Sequence, residues 1–154
     1  MLKAGQLAPD FELRDIHAVP HSLASLLRDG PVLLAFFKVS CPVCQMTMPF
    51  LERLSSAGQV RVVGISQDNT SSTLEFKTRF LLSFSTLLDE AASAYAVSNA
   101  FAITHVPSMF LVEKDNLIGW ASDGFLKSDL DALGLRFGTA IFRSDEKVPA
   151  WKPG

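Results

Sequence analysis

Only two cysteines occur in the 154 residues, with three histidines and a single tyrosine. Two cysteines are too few for a secreted scaffold stapled by several disulfides, and a structural zinc site needs four ligands. The histidines, His17, His21 and His105, do not fall at zinc-finger spacing. No run of like charge appears and the formal net charge is −2, which argues against a nucleic-acid surface and a polybasic membrane patch. The longest apolar run, Val32–Phe37, is far short of a membrane span. The opening MLKAGQLAPDFEL carries one lysine and no apolar segment, so it does not read as a secretion signal. A cytoplasmic location is therefore expected for the chain as given, and a periplasmic one if a leader has been removed.

Nearly half the residues are apolar and about a fifth are charged, as in ordinary globular domains. The length suits one domain with a real core, here taken as residues 1–154 with a C-terminal extension from about 138. Weak alternation over Gly5–Leu13 predicts a short edge strand, and His17–Pro20 reads as a turn. Ser22 is placed to cap a short helix through Leu27, which Asp29-Gly30-Pro31 stops. Val32–Phe37 and Val60–Ile65 read as strands buried on both faces. Between them Cys44, Met48, Leu51 and Leu54 recur at helical spacing over residues 41–57. A helix capped near Asp68–Ser72 is expected to reach about Leu82, then a strand over Phe84–Leu88 and a small-residue helix over residues 90–96. Met109–Val112 and Leu117–Ala121 flank a turn at Lys114–Asn116 as a hairpin, and a final helix covers Ser128–Phe137. The tail from Val148 should be extended. Strands alternating with helices before a terminal hairpin imply an α/β fold with a mixed sheet.

The two cysteines stand as Cys41-Pro42-Val43-Cys44, directly after the first buried strand. An isolated Cys-x-x-Cys in a chain of βα character reads first as a redox pair. At a helix start, residues three apart share a face with Cβ atoms about 5–6 Å apart, close to what a disulfide needs. The helix N-terminus offers unpaired N–H groups and the positive dipole end, both of which favour a thiolate at Cys41. Pro42 suits the first helical turn, where its missing N–H costs nothing. On position alone, Cys41 is the attacking sulfur and Cys44 the resolving one.

These residues resemble the thioredoxin superfamily, and most of all its TlpA/ResA-type thiol–disulfide oxidoreductases, which are related to the AhpC/TSA proteins. The opening Gly5, Ala8-Pro9-Asp10-Phe11-Glu12-Leu13 is similar to theirs. Pro49 matches the proline of their active-site helix, Val106-Pro107 their cis-proline, and Gly124 the glycine after the last strand. The resemblance implies a thioredoxin-like fold with an N-terminal strand extension and an extra strand–helix unit. It also implies exchange of electrons between a Cys41–Cys44 dithiol or disulfide and protein cysteines. It implies a substrate peptide laid against Val106 and Pro107, with Pro42, Val43, Pro49 and His105 tuning the site. No cofactor beyond the redox-active pair, no metal and no nucleic-acid partner is expected. A monomer is expected, with an unidentified electron donor or acceptor. Phe125 and Trp120 are candidates to border the groove, or core residues.

Several positions depart from the pattern. Ala35 stands where thioredoxins bury an aspartate, Thr47 where ResA-like proteins carry a glutamate, and Ser40 where a tryptophan is common. Both acids are implied to manage the inner thiol's proton, so no acceptor for Cys44 is identified. Lys38 close to Cys41 could lower its pKa, or be a solvated strand-end lysine. Pro42 and Val106 resemble the oxidising DsbA-type site, which implies an easily reduced disulfide. Two other readings stand beside this one. A peroxiredoxin-like peroxidase would want Thr or Ser where Lys38 stands, and an arginine near Pro107, to stabilise the peroxide oxygens. A Sco-like Cu(I) carrier would use Cys41, Cys44 and His105, soft thiolates plus an imidazole.

Overall fold

The computed structural model describes residues 1–154. The all-apolar run Val32–Phe37 forms strand β3 at the centre of a five-stranded sheet, every residue of it buried. Before it come β1 (Glu12–Arg14), β2 (Pro20–Ser22) and the short helix α1 (Leu23–Leu26). After it follow α2 (Pro42–Ser56), β4 (Arg61–Ser66), α3 (Thr70–Arg79) and β5 (Ser85–Leu88). The chain continues through α4 (Ala96–Ala100), β6 (Ser108–Val112), β7 (Ile118–Asp123), β8 (Phe125–Leu126), α5 (Lys127–Arg136) and β9 (Trp151–Lys152).

The sheet order is β5-β4-β3-β6-β7. β3, β4 and β5 run parallel, and β6 and β7 join antiparallel, so the sheet is mixed, as the sequence predicts. Alternation along β3 sends Leu33, Ala35 and Phe37 to a core built with α2, α3 and α5, and Val32, Leu34 and Phe36 to a second core. The second core takes in α1, α4 and the N-terminal Phe11 and Leu13. Each Val, Leu or Phe side chain among them contributes about 1.5–3 kcal/mol on burial, so this strand anchors both layers. No helix is long and apolar enough to cross a membrane.

Local expectations hold where the chemistry is local. Ser22 accepts from the Ser25 N–H and Ser25 Oγ from the Ser22 N–H, a reciprocal cap that starts α1. Asn69 caps α3 through the Ser72 N–H at 2.9 Å. Three expectations need correction. The edge strand at Gly5–Leu13 shrinks to β1, which pairs with β2, while Gly5 and Ala8 donate to the carbonyls of Ile118 and Asn116. α3 stops at Arg79, short of Leu82. The helix expected over residues 90–96 is instead a 3₁₀ turn, Ala91–Ser93, followed by α4. Ala94 and Tyr95 take left-handed φ of 54° and 52° between the two. The buried Asp89 carboxylate then accepts the Val97 and Ser98 N–H groups, moving the helix start forward.

Candidate active site

β3 delivers the chain to the site at Phe37, whose carbonyl accepts the Gln67 N–H from the loop after β4. The turn that follows is held from three sides. The Cys41 N–H donates to the Lys38 carbonyl, the Val39 N–H to Asp68 Oδ2 at 2.8 Å, and Gln45 Nε2 to the Val39 carbonyl at 2.9 Å. Cys41 then becomes the N-cap of α2, with extended backbone (φ −84°, ψ 115°). Its sulfur accepts the Cys44 N–H at 3.2 Å, the place that an Asp or Ser oxygen takes in an ordinary cap. Negative charge on that sulfur is met by an N–H dipole and the positive end of the helix. Pro42 occupies the first helical position, and Pro49 lies inside the helix.

The two thiols occupy different environments. Cys41 is half-buried, and Cys44 is wholly buried in the core that also holds Ala35, Met48 and Met109. Burial pushes the Cys44 thiol pKa well above the ordinary range, and the adjoining Cys41 sulfur and the Asp68 charge push it further. Its proton is therefore held firmly in the reduced pair. Thr47, where the ResA-type glutamate would stand, is buried and donates to the Val43 carbonyl at 2.7 Å, back into its own helix. Sequence reasoning takes Asp68 for part of the α3 cap and misses its place at the site. Its carboxylate braces Val39 while its charge reaches Cys44. The only sequence signal for it is its place just after a buried strand.

Across from α2, the loop before β6 presents Val106 and Pro107. The peptide bond between them is cis, the geometry that the resemblance implies. The Cys41 thiol donates to the Val106 carbonyl at 3.4 Å, and neither the N–H nor the carbonyl of Val106 has a backbone partner. The Pro107 carbonyl accepts the Gly124 N–H at 2.8 Å. Gly124 has φ +65°, a conformation that favours glycine. Val43 is half-buried against the core formed by α2. The remaining candidates part company. Phe125 is fully buried beneath the site and belongs to the core. Trp120 is half-buried on β7, opposite Leu111. Lys38 is exposed. Both His105 ring nitrogens have other partners: Nε2 pairs with Asp123 at 3.0 Å and Nδ1 meets the Thr104 hydroxyl at 3.1 Å. No three His, Cys, Asp or Glu side chains come together as a ligand set, so the Cu(I) triad of Cys41, Cys44 and His105 is not assembled.

A buried strand, a helix capped by the first of two cysteines and a cis-proline facing them form one arrangement, and known families carry it. The family described as AhpC/TSA matches residues 4–121, more than half the chain. The chain belongs to the AhpC/TSA family. The thiol–disulfide oxidoreductase ResA of Geobacillus thermodenitrificans is 29% identical over 118 residues, covering 74% of this chain and 66% of that protein. The putative peroxiredoxin bcp of Helicobacter pylori is 35% identical over 103 residues, covering 65% and 68%. Among solved structures, the thioredoxin domain of a thiol–disulfide oxidoreductase from Bacteroides vulgatus superposes with a TM-score of 0.78 at 20% identity, over 89% of this chain and 99% of that one. Within the AhpC/TSA family this member has the thioredoxin fold and is similar to ResA-type thiol–disulfide oxidoreductases. Its match to the Geobacillus protein spans about two thirds of that relative's length.

Proposed function

We propose that this AhpC/TSA member exchanges two electrons between the Cys41–Cys44 pair and cysteines of a partner protein. The observation that carries the reading is the half-buried Cys41 sulfur capping α2 beside the Val106 carbonyl, with Cys44 sealed one turn behind it. In the reducing direction the Cys41 thiolate attacks a partner disulfide, forming a mixed disulfide and releasing one partner thiolate, which takes up a proton. Cys44 then loses its proton and attacks the Cys41 sulfur. The second partner thiol leaves and the Cys41–Cys44 disulfide remains. The partner has gained two electrons and two protons. The oxidising direction is the reverse.

Val106, with both backbone groups unpaired by backbone, is the point where an extended partner segment adds by strand pairing. Both sulfurs and Val106 come from one chain, so a single copy suffices, and the exchange needs no group beyond the two sulfurs.

The test is a trap. Cys44→Ser leaves a mixed disulfide on Cys41 unresolved, so adducts sensitive to reductant should accumulate from a cell extract and vanish in Cys41→Ser. If the trap forms no such adduct, exchange with protein cysteines is wrong. The H. pylori relative favours a second reading, thiol peroxidase. Lys38 is exposed at the position three before Cys41, where that chemistry wants a hydroxyl donor to the peroxide. Rapid consumption of hydrogen peroxide by the reduced protein would decide for the peroxidase.

A further inference from the structure

The last residues of the chain do not trail into solvent. β9 pairs antiparallel with β8, Lys152 opposite Phe125 and Trp151 opposite Leu126, and the Lys127 N–H donates to the Ala150 carbonyl at 2.9 Å. From there the chain crosses Gly124 so closely that a Cβ on that glycine would lie 2.7 Å from the Lys152 carbonyl oxygen and 3.0 Å from the Gly154 nitrogen. It then reaches the cis-proline loop. A Cβ on Gly154 would lie 2.6 Å from the Val106 carbonyl oxygen and 2.6 Å from His105 Cδ2. That carbonyl is the one that holds the Cys41 thiol.

We propose that residues 151–154 form a strap over the Val106 side of the groove and set which substrates reach Cys41. The inference rests on the exchange reading above. An extended polypeptide adding to Val106 has to run through the space that Gly154 fills, so it must first displace the strap. A small disulfide needs only the half-exposed Cys41 sulfur and can react with the strap in place. The strap is built to yield: its pairing covers two residues, and Trp151 and Lys152 are both exposed. So short an antiparallel pair opens far more readily than the sheet beneath it. Gly124 supports it from below, since only the absence of a side chain there lets the strap cross at this distance.

Two variants test this by different routes. Lys152→Pro removes an N–H from a pair that alternation along the ladder places in hydrogen-bonding register, loosening β9 from β8. Gly154→Val leaves that pairing alone and drives a side chain against the Val106 carbonyl, lifting the strap's end. Reduced wild type and both variants are mixed with a small aromatic disulfide, dithiobis(nitrobenzoate), and separately with an extended disulfide-linked peptide. In both variants the peptide rate constant should rise about fivefold or more, the effect of about 1 kcal/mol of lost competing contact. The small-disulfide rate should stay within about twofold of wild type. A peptide rate that is unchanged or lower in both variants overturns the strap. So does a parallel change in both rates, which would mark residues 151–154 as structural support. If wild type reacts with neither disulfide, the exchange reading itself fails and the strap falls with it.

Discussion

The inner thiol of this site shares its surroundings with a carboxylate on a different element. Asp68 accepts the Val39 N–H at 2.8 Å from the loop after β4, and its negative charge opposes a second negative charge on Cys44. Replacing it by asparagine separates the two roles, because an amide oxygen can still accept the Val39 N–H while the charge is gone. Asp68→Asn should therefore lower the pKa of Cys44 from its raised value and leave the fold intact. Titration of a cysteine-labelled sample by NMR reads this directly. An unmoved or raised Cys44 midpoint would show that the charge does not reach the sulfur. Cys41, Cys44 and Pro42 lie within four residues, so helix geometry relates them without knowledge of the fold. Asp68 is 27 positions from Cys41, and only the packing of the loop after β4 against the turn after β3 brings it there. His105 is a candidate for its place beside Pro107, but adjacency along the chain does not fix which partners a ring takes, and here one of them is Asp123.

At the level of elements, strands that bury both faces read well because their composition leaves no alternative: β3 has the bounds expected of Val32–Phe37. The stretch around Glu90 read poorly. Alanine and serine carry no mark of the left-handed turn at Ala94 and Tyr95, and the carboxylate that starts α4 is buried Asp89, outside the helix. The tail is extended, as its prolines predict, and what the sequence hides is its partner: β8 is only two residues long and gives no periodic signal. β4 carries a testable constraint of its own at Gly64. A Cβ there would sit 3.0–3.1 Å from Phe84, Phe37 and Thr86, all buried, at a backbone conformation that strains no residue. Gly64→Ala overpacks this junction between β4, β5 and the core. Destabilisation of about 1–3 kcal/mol is expected from such crowding. Urea unfolding measures it, and a variant as stable as the parent would mean that the phenylalanine rings move aside freely.

At the scale of the molecule, the segment after α5 is part of the body rather than an appendage. Ile141 is buried with Leu130 and Leu133, and Phe142 packs on Phe50 of α2 at 4.8 Å between ring centroids. An ion pair closes this contact: Arg53 of α2 donates to both carboxylate oxygens of Glu146, at 2.5 and 2.8 Å, and also to the Ile141 carbonyl. These bonds, the Arg53 contact first, lower the Glu146 pKa from about 4.5 to about 2. A carboxylate with a depressed folded-state pKa stabilises the fold fully above its unfolded value, and that contribution is lost as pH falls through the folded one. Wild type should therefore exceed Glu146→Gln in stability by a constant margin from neutral pH down to about 5. The margin should shrink below pH 4.5 and close near pH 2. Urea midpoints of the two proteins at several pH values give the comparison, and a margin that does not change with pH would mean the pair contributes shape but no charge. The same clamp bears on the active site. Arg53 fixes residues 141–146 against α2, just before the strap, so on the strap proposal Glu146→Gln should also raise the rate with the extended peptide disulfide.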